Sequence, residues 1–269
     1  MRKSIMLINL IVLMVLFSCE DNTAPLVPEN RFFPLAIGNY WIYTSYERDS
    51  YYKIISSTIT EDSVVIENSE TILGVNAFYF VRYRSGEPID TMIFANNKNY
   101  VYRLHDSANT LIPALKNTWF PVADFVMEMN GTWNVFKRQM SGYPYSFEGG
   151  LYPATWFHTI NGEYDYSDTA DINGKDFLTK RYSNKYDSKL DFSYPRKNIK
   201  PDGKFYYDTL KVTQLLKYFE KYQFAEGIGI YKMYREPHSI VISTEPSSTF
   251  SNTQYVNGVE MILKRYKLK

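Results

Sequence analysis

From residue 39 to residue 48 the chain alternates residue by residue, and that period of two restricts what it can become. Tyr40, Ile42, Thr44 and Tyr46 fall on one face and Trp41, Tyr43, Ser45 and Glu47 on the other. A helix would repeat its apolar positions every three or four residues instead. The strand pattern returns at 51–59, 63–67, 77–84, 91–95 and 100–104, between turn formers such as Ser85-Gly86 and Asn96-Asn97. Pro201-Asp202-Gly203 is a strong turn signal and leads into two long strand-like runs, 204–219 and 223–235. Asn257-Gly258 predicts a hairpin into a last strand, 259–268. Only 108–115 suggests a short helix. With 25 tyrosines and 17 phenylalanines, the composition also favours sheet. The expected fold is mainly β and antiparallel, a curved sheet or an open barrel with little helix.

The first residues differ in kind. Arg2 and Lys3 precede an apolar run, 5–17, broken only by Asn9. At about 1.5 Å per residue the run spans ~20 Å, short of the ~30 Å hydrocarbon core, so it reads as a secretory signal and not as a spanning helix. Leu16-Phe17-Ser18-Cys19 resembles the bacterial lipobox. That resemblance implies cleavage after Ser18, diacylglycerol on the Cys19 sulfur and acylation of the new amine, an anchor of effectively permanent strength. Cys19 is the single cysteine, so no intrachain disulfide can form and the core alone must hold the fold.

Residues 1–18 are therefore expected to be a lipoprotein signal peptide. Residues 19–30, polar and with two prolines, read as a flexible lipidated tether. Residues 31–269 are expected to form a single β-rich domain. Within it 141–201, rich in Tyr, Asp, Asn and Gly, reads as hairpins and loops and as a candidate insertion. Without Arg2 and Lys3 the 30 basic residues become 28, against 29 acidic ones, a net charge near −1. That balance argues against a nucleic-acid partner, which requires a basic face.

A second lead-in follows the first. Phe120-Pro121-Val122-Ala123, then Gly131 and Trp133, echoes Phe33-Pro34-Leu35-Ala36, Gly38 and Trp41. In each case proline is expected to end one strand and an aromatic to plug the core as the next begins. Phe33-Pro34-Leu35 through Gly38-Asn39-Tyr40-Trp41 resembles the FPLxxGNxW start of many bacterial envelope lipoproteins. Phe224-Ala225-Glu226-Gly227-Ile228-Gly229-Ile230 is similar to their later EGIG segment. The resemblance implies an antiparallel β domain at the cell envelope, anchored in the outer membrane, and carries no activity with it. Glu20-Asp21 resembles lipoprotein sorting signals without deciding which face of the membrane the chain occupies.

Motifs of catalysis are sparse. Gly227-Ile228-Gly229 begins like a dinucleotide fingerprint, but Lys232 takes the third glycine's place and no βαβ pattern surrounds it. It reads as a bend in a strand. His105-Asp106-Ser107 has triad residue types without triad geometry. His105, His158 and His238 lack metal-ligand spacing. Residues 169–174 resemble half a calcium loop, with Thr169 in place of the first Asp, and read better as a plain turn. Asp165, Asp168, Asp171 and Asp176 could supply a glycosidase pair, as any Asp-rich loop could. The expectation is no catalytic residues, no metal, no cofactor and no enzyme activity.

One pattern exceeds chance. Asp, then Ser or Thr, then a small or apolar residue occurs at Asp62-Ser63-Val64, Asp90-Thr91-Met92, Asp106-Ser107-Ala108, Asp168-Thr169-Ala170 and Asp208-Thr209-Leu210, where composition predicts about one. It resembles an O-glycosylation signal of some diderm bacteria, which implies modification at Ser63, Thr91, Ser107, Thr169 or Thr209. A turn-to-strand transition produces the same triplet. Two functions then compete. One is a non-enzymatic binding or scaffolding platform of tyrosines, with Trp156-Phe157, facing a glycan or another envelope protein. The alternative is a carrier or sensor of a hydrophobic ligand such as a lipid, in a groove lined by Phe33, Trp41, Phe78, Phe80, Phe120 and Trp133, whose other reading is ordinary core.

Overall fold

The computed structural model describes residues 31–97, 99–105, 117–245 and 251–269. Cys19, the leader, the tether, Ser107 and the short helix expected at 108–115 lie outside the described residues. The fold is mainly β and antiparallel, as expected: one fourteen-stranded sheet, open and not closed into a barrel. Strands β1 (Tyr40–Arg48), β2 (Thr60–Ile72), β3 (Val75–Arg84), β4 (Glu87–Asn96), β5 (Tyr100–His105) and β6 (Thr118–Asp124) form one meander. The long strands β7 (Thr132–Phe147), β8 (Gly150–Ile172), β9 (Lys175–Ile199) and β10 (Phe205–Ala225) form a second. β11 (Gly229–Arg235) and β12 (His238–Glu245) share the free edge of β10, and β13 (Ser251–Val256) pairs with β12. β14 (Gly258–Lys267) runs between β1 and β11 and joins the two meanders.

The halves face each other across an aromatic core. Phe33 meets Phe224 edge to face at 5.6 Å and Phe120 meets Tyr186 at 6.5 Å. Asn184 donates its amide to the Val122 carbonyl at 3.1 Å, from β9 to β6. Trp41, Phe33, Phe94, Phe120, Tyr182, Tyr186, Tyr222 and Phe224 are fully buried. The groove expected along Phe33, Trp41, Phe80 and Phe120 is core, with Phe78 and Trp133 packed against its rim.

The segments 33–41 and 224–230, from the two ends of the chain, form one unit. Gly227 N donates to Arg31 O, Arg31 pairs with Glu226, and Trp41 Nε1 and Tyr43 Oη donate to the carbonyls of Ile228 (2.9 Å) and Ile230 (2.8 Å). β14 pairs with β11 only from Lys232 onward, so these side chains supply the donors that a neighbouring strand would otherwise give. Gly229 sits there at φ +109° with the Trp41 ring 3.6 Å from where a Cβ would lie, which only glycine adopts without strain.

Several local expectations are corrected. Residues 51–59 form no strand: Asp49 Oδ1 accepts from the Tyr51 and Lys53 amides, Tyr52 lies at φ +64°, and a three-residue 3-10 turn, Ser56–Thr58, follows. Residues 143–201 do form hairpins, β7–β8 and β8–β9, but of long strands joined by tight turns and not of loops. Asn173-Gly174 does turn, but Asn161-Gly162 lies inside β8, where the Trp133 indole rests on Gly162 so closely that a Cβ would stand 2.1 Å from it. Pro121 lies within β6 and does not end it, because β6 is an edge strand paired with β5 alone, where a missing N–H is tolerated. The turn between β10 and β11 falls at 226–228, so Gly227-Ile228-Gly229 separates two strands and does not bend one. Gly258 opens β14, but β13 and β14 do not pair, so Asn257-Gly258 makes no hairpin. Trp156 is buried, which removes it from any surface platform; Phe157 is exposed.

Candidate functional site: a hollow of cations and tyrosines

Alternation on β10, β11 and β14 puts Lys221 and Gln223, Lys232 and Tyr234, and Glu260 on the face turned away from the core, since Gln223 pairs with Lys232, Lys221 with Tyr234 and Tyr234 with Glu260. With Arg48 at the end of β1, Tyr52 from the following loop, Tyr166 of β8 and Arg181 of β9, they line a hollow of about 270 Å³. Four of its lining residues are cationic and one, Glu260, is acidic. Glu260 is 2% exposed and binds Arg48 Nε and Lys232 Nζ, each at 2.5 Å. Burial pushes its carboxyl up, but the bonds from Lys232 and Arg48 outweigh that and hold it below the usual range.

The cations lie against rings. Arg48 stands 5.3 Å over Tyr46, Arg181 5.2 Å over Tyr166 and Lys221 5.8 Å over Tyr234. Arg181 also reaches Asp165 at 2.9 Å and Tyr166 Oη at 3.0 Å, and Lys221 reaches Glu236 at 2.5 Å. Burial, with help from Glu236, pushes the Tyr234 hydroxyl up to about 12, so it stays a neutral donor. Tyrosine faces beside oriented cations suit a flat ligand carrying carboxylate or phosphate groups.

A second polar cluster lies between the sheet halves. Arg103 of β5 donates to Glu220 (3.3 Å) and Tyr222 Oη (2.8 Å) of β10, and Tyr186 Oη donates to Glu220 at 3.1 Å. Burial opposes the charge on Glu220, but Arg103, with His105 and Arg235, keeps its pKa below the usual value. The three histidines, distant in sequence, gather here: His105 and His158 each lie 6.4 Å from the Tyr186 ring, which stacks on Tyr218, which stacks on His238. They do not converge as ligands, and among the described residues no group of three or more His, Cys, Asp or Glu is placed to hold a metal. This cluster ties the halves together, and a cavity of about 140 Å³ lies beside Arg82, Asp90, Arg103, Glu220 and Arg235.

The remaining singled-out residues stay apart. Ser63 and Thr91 are half-buried on β2 and β4, whereas Thr169 and Thr209 are exposed on β8 and β10. Three of the aspartates before them serve arginines on neighbouring strands: Asp62 binds Arg84 (2.8 Å), Asp208 binds Arg196 (2.7 Å) and Asp90 lies 3.9 Å from Arg82. Asp168 accepts from the Thr169 amide and Asp171 from the Gly174 amide, the turn geometry expected at 169–174. Asp165 serves Arg181 and Ser183, and Asp176 stands opposite Asp171 in the ladder. Asp106 and Ser107 lie outside the described residues. None of the hollow's residues was singled out as a site residue in the sequence, where Lys232 appears only as a break in a glycine pattern, because they come from six strands and a loop spread over more than two hundred positions. The strand-like runs 204–219 and 223–235 leave out Lys221, and its pairing with Tyr234 shows only in the ladder.

No protein-family model matches the chain, and no curated protein matches it. Among solved structures, the chain is similar to a lipoprotein candidate from Parabacteroides distasonis ATCC 8503, at 12% identity and a TM-score of 0.43, covering 88% of this chain and 99% of that one. It is also similar to a candidate exported protein with a YmcC-like fold from Bacteroides fragilis NCTC 9343, at 11% identity and a TM-score of 0.37, covering 89% of this chain and 100% of that one.

Proposed function

We propose that the chain is a non-enzymatic binding protein of the cell envelope, anchored in the outer membrane through acylated Cys19 after cleavage behind Ser18, and that its outward hollow takes an acidic glycan. The leader and lipobox-like Leu16-Phe17-Ser18-Cys19 support the location. The hollow carries the rest: Tyr52, Tyr166 and Tyr234 line it for a sugar face to stack on, and Arg48, Arg181, Lys221 and Lys232 hold N–H groups beyond those that bind Glu260, Asp165 and Glu236, with which an acid group can pair. No nucleophile–base pair lines it. The alternative, a lipid carrier, is disfavoured because, among the described residues, the chain's own rings pack between the halves, and the cavity beside Arg103 and Glu220 is small and charged.

The test is a calorimetric titration of the detergent-solubilised, lipidated protein with oligogalacturonate and with its neutral methyl ester. Saturable one-to-one binding of the acid alone is expected, weakened about tenfold by Arg181→Gln or Tyr234→Ala. No heat, or equal binding of the neutral ester, would overturn it.

A further inference from the structure

The turn that joins β9 to β10 is the end of the longest arm of the sheet, and it is built unlike the others. Ile199, Phe205 and Tyr207 are 66, 59 and 67% exposed. Ile199 stands directly opposite Phe205 in the ladder, and Tyr207 opposite Lys197, so the three apolar side chains share one face. Lys197 Nζ sits 3.6 Å above the Phe205 ring and Lys200 Nζ 5.9 Å above Tyr206. The local carboxylates are engaged elsewhere: Asp208 by Arg196 and Asn198, Asp202 by Lys204 at 3.9 Å. From Arg196 to Asp208 there are four basic residues and two acidic ones. Left in water, such an apolar face is a liability; fringed with lysines, it matches the boundary between acyl chains and anionic headgroups.

We infer that this hairpin tip is a second membrane contact, dipping Ile199, Phe205 and Tyr207 into an anionic lipid bilayer while Lys197 and Lys200 meet its headgroups. A bilayer fits better than a protein partner. Three side chains on one turn fall far short of the ~1,200 Å² that a stable protein interface buries, whereas insertion needs only a few apolar groups at the boundary. The position of the tip adds to this. Arg31, where the tether joins, is bound at Glu226 and Gly227, beyond the far end of β10. The 21 residues of β10 separate the two points by about 70 Å. The tether, residues 19–30, reaches about 40 Å at most. An anchor at one end and a dipping tip at the other would lay the domain along the bilayer, and the anchor turns the weak second contact into an effectively intramolecular one.

The inference rests on acylation of Cys19, which also makes the test clean. With the natural cysteine blocked, Ile199→Cys supplies the one free thiol for an environment-sensitive fluorophore in the full lipidated chain. Leu73→Cys labels another exposed apolar turn, one flanked by Glu67 and Glu70. On vesicles containing phosphatidylglycerol, emission at position 199 is expected to rise at least twofold and to be quenched by brominated lipid. It should fall back in high salt and in a Lys197→Glu, Lys200→Glu variant, and position 73 should not respond. No rise at 199, the same rise at 73, or the same rise on pure phosphatidylcholine would overturn the inference. An unacylated chain would take up two fluorophores, so intact mass separates failure of the anchor from failure of the tip.

Discussion

Glu260 is the residue on which the hollow depends, because one buried carboxylate holds both Arg48 and Lys232 in place. Glu260→Gln should cost about 2 kcal/mol in urea unfolding, a buried ion-pair loss reduced by the half-exposure of its partners. Because its folded pKa is lowered, its contribution is present above the unfolded carboxylate range near 4.3 and is lost as pH falls through the folded value. His158 works over a higher window. It is 1% exposed and burial pushes its pKa down to about 4, so between about 6.5 and 4 the unfolded chain binds a proton that the folded chain refuses. Stability should therefore fall as pH drops through that window, and His158→Phe should flatten that part of the profile in unfolding curves taken at pH 7.5 and 5. Tyr43→Phe, which removes the donor to the Ile230 carbonyl, should cost about 1–2 kcal/mol. Of the modification residues, Thr169 and Thr209 stand in solvent, and intact mass of protein from its host should show any glycan there.

At the scale of elements, glycine decided what could be read. Asn161-Gly162 carries the composition of a turn, yet it lies in mid-strand because Gly162 makes room for Trp133 across the ladder. A sequence shows the glycine and not the ring that needs it. Gly162→Ala and Gly229→Ala should each lower stability by about 1–3 kcal/mol, the first by displacing an indole and the second by backbone strain at φ +109°; differential scanning calorimetry reads both. Much of β1–β5 was legible since the inward side chains there are mostly apolar, whereas β6 carries Pro121 and read as a lead-in. β8 and β9 were not, since Asn184, Ser188 and His158 point inward and break the apolar alternation. Their partners lie on other strands: Asn184 bonds Val122 across the fold, while Ser188 bonds Trp156 and His158 packs beside Phe136 on the adjacent strands.

At the scale of the whole molecule, the sheet's fold-over explains why the class of fold could be read and the site could not. Period-two patterning specifies strands locally, but the hollow is assembled from strands that become neighbours only when β14 joins the two meanders. The same fold-over fills the interior with aromatic rings, and the proposed recognition site lies on the outside. Native mass spectrometry of the lipidated protein, released from membranes in detergent and mixed with oligogalacturonate, tests this most directly. The account predicts a chain beginning at acylated Cys19, free of any other lipid, that takes up one acidic oligosaccharide. A near-stoichiometric lipid retained by the protein, with no oligosaccharide adduct, would contradict it.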